Sequence, residues 1–533
     1  MLDDWVTPHE NFLPVLDKPM LFYWLVAASY RIFGITEWSA RLPSAILAMG
    51  CLFLVYRFAR RWWGSWQALW SVLILLTSLE FFLLARIVIS DMALSFCVTL
   101  TLYAFYSAVH AENDKSKRLF CLLMYGALSA GTLVKGLIGV VIPGMVILAY
   151  LVCTCKWGIL RRLYPLPGAL LFFVMVAPWY LWADARNPGY LRYYFWDEHF
   201  TRYLTSEFDR EQSWFYFFVV VFVGFLPWSL CLPFVAKSLW RNLDDKNIFL
   251  ILWVFLPFLF FSFSSSKAPQ YLLPIYPALA LLSAQTVAHL FDKPPSKERW
   301  LLYLPWMFPI PFTVYLLVGG LWQNLLPWPI RDGVNENLVF IGFSAAVMGL
   351  ILGSFVWANL RDHGRSQLAA YLCSCGIAVF FLLMGQLMIT ASGGRSSKAL
   401  AQSAASLITH DSDIAIYDTY INGLIFYLRL DRPLWVVASP TKTTLMGSPY
   451  VSMQRPNPPP GRGKIIISFE DFETRWKNGK GPILVFAKRK NVARLESQLG
   501  GMTKELVRAG EYVLLSKPSA VGERTIPEPP IQP

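Results

Sequence analysis

Seven ionisable residues stand where an otherwise apolar chain turns: Asp17, Lys18, Asp91, Lys135, His199, Arg202 and Lys267. Ionisable groups beside hydrocarbon are costly, and they mark functional sites more often than packing. Four cations set among carboxylates and one histidine suit an anionic lipid phosphate and a reaction that needs a general base. Each residue also has a plainer reading. Asp91 would cap the helix that follows it. Lys135 and Lys267 would snorkel at a membrane rim. His199 would be an ordinary loop histidine, and Arg202 would hold a phospholipid headgroup. Their gathering on one side of the apolar spans favours chemistry over these separate accounts.

The elements that must position them are membrane spans. The chain is 56% hydrophobic and 16% aromatic, with mean hydropathy +0.45, far from a soluble average. A net charge of +13 fits basic cytoplasmic loops, and no nucleic-acid motif accompanies it. Apolar runs near spanning length fall at 42–58, 66–85, 92–109, 119–134, 137–154, 163–182, 213–234, 248–264, 270–291, 300–326, 338–358 and 367–391. That predicts about twelve spans, with both chain ends on one side. Pro19–Phe33 is too short to span and reads as a helix lying at the surface. Loops around Arg57–Arg61, Lys115–Arg118, Lys156–Arg162, Lys237–Lys246, Lys293–Arg299 and Arg361–Arg365 carry the excess of basic residues. Those loops are therefore cytoplasmic, and residues 1–41, the long loop 183–212 and everything after about 392 lie outside. The eight cysteines lie in or beside apolar segments, none after Cys375, and read as small apolar helix residues.

The tail, 392–533, changes character. Strand-like runs at Asp413–Tyr417, Lys464–Ser468, Pro482–Phe486 and Glu511–Leu515 alternate with a helical pattern at Asn491–Leu499. Arg455–Gly463 reads as a loop and the Pro-rich end as disordered. This predicts a small α/β domain outside the membrane, without a nucleophile or metal motif. The organisation is thus an outer juxtamembrane segment (1–41), a transmembrane domain (42–391) and an extracytoplasmic α/β domain (392–533).

The stretches Asp4-Trp5-Val6-Thr7-Pro8, Leu16-Asp17-Lys18-Pro19 and Tyr23-Trp24-Leu25 resemble the first outer loop of the protein O-mannosyltransferase superfamily of GT-C glycosyltransferases. Within it they look most like bacterial lipid A aminoarabinose transferases. The likeness continues at Ala40–Ser44, Ser90–Leu94, Lys135–Gly139, Ala177–Tyr180, Arg186–Gly189, Glu198–Thr205 and Tyr271–Pro277. The resemblance implies transfer of a sugar from a polyprenyl-phosphate carrier to an acceptor at the outer face of a bacterial inner membrane, with the tail domain periplasmic. It implies that Lys18, Lys135, Arg202, Lys267 and Tyr271 bind the carrier, and that Asp91 is the second outer-loop acid, with a catalytic role. It also implies a divalent metal at Asp17 and His199. The resemblance implies lipid A or a related envelope lipid as acceptor; aminoarabinose on lipid A, a hexose on another envelope lipid and protein O-mannosylation all fit the same pattern.

The family's first span and principal catalytic acid precede this loop, whereas the chain starts at Met1-Leu2. The expectation is a truncated gene model or an internal start, thirteen spans in the longer form, and weak or no transfer if the chain is complete. A lipid-linked sugar flippase would show internal repeats and midplane charges, and neither is found. A noncatalytic scaffold would need no rim cations beside carboxylates.

Overall fold

The computed structural model describes residues 4–204, 212–241, 243–292, 376, 385, 396–421, 423–437, 446, 448, 450–451, 465–479 and 481–517. The chain divides into two compact units: Met1–Asp17, Trp328–Gly333 and Met388–Pro533 form one, Lys18–Pro327 and Val334–Leu387 the other.

The second unit is a polytopic helical membrane bundle. After α1 (Leu21–Phe33) come α2 (Glu37–Trp62), α3 (Ser65–Leu76), α4 (Leu79–Leu84), α5 (Ser90–Val109), α6 (Asp114–Lys135) and α7 (Ile138–Thr154). The short α8 (Ile159–Arg162) precedes α9 (Pro165–Arg186). The turns α10 (Tyr190–Arg192) and α11 (Arg202–Leu204) flank a π-helical stretch, Tyr193–Thr201. Then follow α12 (Tyr216–Gly224), α13 (Leu232–Arg241), α14 (Asp245–Ser262), a 3-10 segment Pro269–Ile275, and α15 (Tyr276–Asp292).

Among the described residues six helical stretches are long and apolar enough to cross a membrane, or seven if a pair bent by 106°, Tyr216–Gly224 with Trp228–Arg241, counts as one. The runs expected at 42–58, 92–109, 119–134, 163–182, 248–264 and 270–291 each fall on such a stretch. Two expected spans are broken. The 66–85 run is interrupted at Thr77-Ser78, where the Ser78 backbone is extended and its hydroxyl donates to Ile74 O at 2.6 Å. The 213–234 run turns at Phe225–Pro227. Local polar bonding and proline chemistry there defeat a hydropathy count. The spans expected at 300–326, 338–358 and most of 367–391 lie outside the described residues, as do Arg455–Gly463, the Pro-rich end, Cys373 and Cys375. The other six cysteines are free, four of them buried.

Helices α6 and α7 form a tight hairpin because glycines face each other. A Cβ on Gly139 would lie 2.4 Å from the carbonyl carbon of Gly131, so the backbones themselves touch. Gly136, at φ +70°, closes the hairpin in a conformation that only glycine adopts without strain.

At the end of the bundle opposite Lys18 and Lys135, Asp245 accepts from Lys156 Nζ (2.6 Å), Tyr150 Oη (2.7 Å) and Tyr106 Oη (3.1 Å). Arg61 donates to His110 O at 3.0 Å. This cluster ties together the ends of α2, α5 and α7 and the start of α14, where the basic loops were placed.

The other unit holds two sheets. A hairpin, β1 (His9–Glu10) with β2 (Leu13–Pro14), opens the chain. The tail forms a six-stranded sheet in the order β5-β4-β3-β6-β8-β7. Its strands are β3 (Asp413–Tyr417), β4 (Trp435–Val437), β5 (Ile466–Ile467), β6 (Ile483–Lys488), β7 (Lys504–Ala509) and β8 (Tyr512–Ser516). The pairings β3–β4, β3–β6 and β4–β5 are parallel; β6–β8 and β7–β8 are antiparallel. Helices Phe469–Asn478 and Arg489–Gln498 supply Phe472, Trp476 and Leu495 to one core layer of this sheet.

The hairpin belongs with this sheet. Asn11, at φ 49°, donates from Nδ2 to Leu434 O (2.8 Å) and accepts at Oδ1 from Leu434 N (3.0 Å). Leu13 joins the second core layer with Ile416 and Leu514. The expected single outer segment 1–41 is therefore split between the units at Asp17.

Candidate functional site

The rim residues of the helical unit gather because helix ends deliver them. Asp91 lies in the first turn of α5 and Lys135 is the last residue of α6. Each terminus carries the charge its helix dipole favours. The two side chains form an ion pair, with Asp91 6% and Lys135 12% exposed. The Lys135 ammonium also stands 4.9 Å from the centroid of the Tyr271 ring, within cation–π range. Lys18, just before α1, pairs with Glu198 at 2.5 Å; Glu198 is 3% and Lys18 28% exposed.

Glu198 and His199 come from the π-helical stretch, whose wide turn recurs at functional sites. His199 Nδ1 donates to Tyr194 O at 2.6 Å, five residues back, and Nε2 accepts from Leu137 N at 3.3 Å. Burial, the largest cause, holds this imidazole below its ordinary pKa, and the nearby Lys18 adds to the effect. Gly136 makes room: a Cβ there would stand 2.4 Å from Tyr194 Oη and 2.7 Å from His199 Nε2.

These groups surround a cleft of about 450 Å³ lined by Lys18, Lys135, Glu198, His199 and Tyr271, with Phe260 and Phe261 among its apolar walls. Ammonium groups at an apolar-walled opening can hold the phosphate of an amphiphile and stabilise negative charge that develops there.

Lys18, Lys135, Tyr271 and His199 thus meet, as sequence spacing alone could not show. Asp91 does not line the cleft. Its carboxylate pairs with Lys135, which does line the cleft. Lys267 does not line it either, although its neighbours Ser264 and Ser266 do. Arg202 opens α11, and its side chain lies outside the described residues. Of the two residues expected to hold a metal, the Asp17 carboxylate accepts from Tyr450 N at 3.3 Å, and both ring nitrogens of His199 are engaged by backbone. Among the described residues no three His, Cys, Asp or Glu side chains are grouped to hold a metal ion. Glu198, which sequence reasoning passed over as a site residue, stands beside His199 in the matched stretch, but its partner is 180 positions away.

Residues 17–182 match the family described as dolichyl-phosphate-mannose-protein mannosyltransferase. An undecaprenyl phosphate-alpha-4-amino-4-deoxy-L-arabinose arabinosyl transferase of Aeromonas hydrophila is 30% identical over 380 residues, 70% of this chain and 68% of that protein. One from Pseudomonas aeruginosa is 31% identical over 283 residues, 52% of this chain and 51% of that protein. The chain thus spans about half the length of its Pseudomonas relatives. The crystal structure of ArnT from Cupriavidus metallidurans bound to undecaprenyl phosphate superposes with a TM-score of 0.80 at 25% identity, over 98% of this chain and 92% of that one. Its apo form superposes with a TM-score of 0.79. With a relative 30% identical and covered to 68% and a fold that superposes at a TM-score of 0.80, the chain belongs to the family of undecaprenyl phosphate–aminoarabinose arabinosyl transferases within the GT-C glycosyltransferases.

Proposed function

We propose that this chain transfers 4-amino-4-deoxy-L-arabinose from an undecaprenyl-phosphate carrier to lipid A, at the periplasmic face of the bacterial inner membrane. The observation that carries this reading is the convergence of Lys18 and Lys135 on one apolar-walled cleft. In the transfer, an acceptor oxygen attacks the anomeric carbon and its proton passes to the departing carrier phosphate. The bond from that carbon to the carrier phosphate breaks, and its electron pair stays on the phosphate. Lys18 and Lys135 stabilise the charge that grows on the leaving oxygen. Asp91 orients Lys135 and Glu198 orients Lys18, while Tyr271 faces the ammonium of Lys135. Phe260, Phe261 and Val141 accept the first carrier isoprenes. Arg202 and Lys267 are further carrier-binding residues in this reading.

The test is transfer of labelled aminoarabinose from its carrier to lipid A in membranes holding the chain. A hydrogen bond to a charged group contributes about 1.5–3 kcal/mol, so Lys18→Ala and Lys135→Ala should each lower transfer by about tenfold or more. Undiminished transfer in both variants would overturn the assignment. Movement of the carrier across the bilayer with no transfer would reassign the chain as a lipid-linked sugar transporter.

A further inference from the structure

Buried in the helical unit and not among the residues that line the cleft, one carboxyl group has no part in the proposed transfer. Glu80 lies in the first turn of α4, the second helix of a broken span inside the apolar run 66–85, and is 7% exposed. Tyr276 Oη donates to its Oε2 at 2.5 Å. Its other oxygen, Oε1, is buried and has no hydrogen-bond partner among the described residues. A carboxyl kept in such a place is expensive and points to a function.

Three chain segments meet around it. The break between α3 and α4 leans on the bend after α12: Trp228 Nε1 donates to Thr77 Oγ1 at 2.8 Å, and Leu79 N donates to Leu226 O at 3.1 Å. Gly224 lies against the Glu80–Tyr276 bond so closely that a Cβ would come within 2.2 Å of Tyr276 Oη and 2.5 Å of Glu80 Oε2. Tyr276 directly follows the 3-10 segment Pro269–Ile275, which carries Tyr271 to the cleft. Two further side chains hold that segment by its carbonyls: Ser95 Oγ donates to Leu273 O at 3.3 Å and Trp253 Nε1 to Pro274 O at 2.9 Å. The segment is therefore held at its base from α4, α5 and α14, and its free polar work is done by the Tyr271 ring under Lys135.

We infer that Glu80 is a positioning residue for the carrier-phosphate site: through Tyr276 it sets Pro269–Ile275, and so the pose of Tyr271 and Lys135. The inference rests on the phosphate-binding role of Lys135 proposed above. Glu80 touches no substrate; it fixes the segment that does.

The experiment measures binding of undecaprenyl phosphate to the full chain in detergent, with transfer not required. Variants are Glu80→Gln, Glu80→Leu, Tyr276→Phe and Lys135→Ala. Glu80→Gln keeps an oxygen acceptor for Tyr276 and should bind within twofold of the parent. Glu80→Leu and Tyr276→Phe should each weaken binding by about five- to tenfold, with the double variant no worse than either, since they cut one bond. Rescue by the amide separates positioning from mere loss of fold. Should Glu80→Leu fail to fold, Tyr276→Phe, which loses a single hydroxyl, carries the comparison. Parent-like binding by Tyr276→Phe, alongside weak binding by Lys135→Ala, overturns the inference alone. Parent-like binding by Lys135→Ala overturns the reading of the cleft, and the inference with it.

Discussion

Removing Lys135 separates what the cleft needs to fold from what it needs to bind. Lys135→Met leaves the Asp91 carboxylate, 6% exposed, without its cation. Breaking a buried pair from one side costs about 3–5 kcal/mol, because the surviving charge has neither water nor partner. Asp91→Asn strands the ammonium instead. That side chain is 12% exposed and lines the cleft, so it can swing toward water and the loss should fall near the lower end of that range. The double variant Asp91→Asn/Lys135→Met removes both charges and should return to within about 1 kcal/mol of the parent, since a hydrophobic replacement of similar volume is often neutral. Carrier binding must follow a different order. It should be weak in Lys135→Met and equally weak in the double variant, because refolding the pocket does not restore the cation. Thermal unfolding in detergent and undecaprenyl-phosphate binding, read on the same four proteins, decide it. A double variant that binds like the parent would show that the pair serves only the fold and would refute the proposed role of Lys135. A single Lys135→Met that unfolds with the parent would refute the burial of the pair.

Gly136→Ala puts a methyl group 2.4 Å from Tyr194 Oη and forces a left-handed φ on alanine. It should cost about 1–3 kcal/mol and weaken carrier binding by displacing His199; an unchanged melting temperature would contradict the close packing described. The His199 imidazole, held low by burial, gives a signed pH effect. Its folded pKa lies below the unfolded value of 6.5, so the unfolded chain takes up the proton first as pH falls. The stabilisation is present above that value and is lost as pH falls through the folded pKa. Between pH 7.5 and 5 the parent should lose more thermal stability than His199→Gln, and equal losses would count against the neutral, doubly bonded ring.

Charge and hydropathy carry the gross architecture because both are local properties of a sequence. Six expected spans fall on long apolar helices, and four expected strand runs fall on strands of the tail sheet. The two tail strands that were missed have local causes. Trp435–Val437 is only three residues long, and Lys504–Ala509 (Lys-Glu-Leu-Val-Arg-Ala) lacks a polar–apolar alternation, lies on an outer strand and has a bulge between Glu505 and Val507. The broken spans were missed because hydropathy averages over Thr77, Ser78 and Pro227, whose hydrogen bonding and ring chemistry act one residue at a time. The split at Asp17 was illegible for another reason: Asn11 finds Leu434 across 423 positions, and no local pattern announces such a pairing.

The site divides along the same line. Which residues are polar at the rim is written locally; which cation faces which acid is not. Lys18 and Glu198 are 180 positions apart, Lys135 and Asp91 44, and both pairings depend on how helix ends are brought together. That closure rests on residues with no charge at all. Gly131 and Gly139 let α6 and α7 touch backbone to backbone, and Gly136 turns the chain beneath His199. The result is a pocket in which each lysine already faces one buried carboxylate. In the proposed function an arriving phosphate meets two ammonium groups whose orientation is set before it binds, so little ordering of these long side chains remains to oppose binding. The same acids keep the resting cleft close to neutral, which lets two lysines stand at an apolar opening without repelling one another.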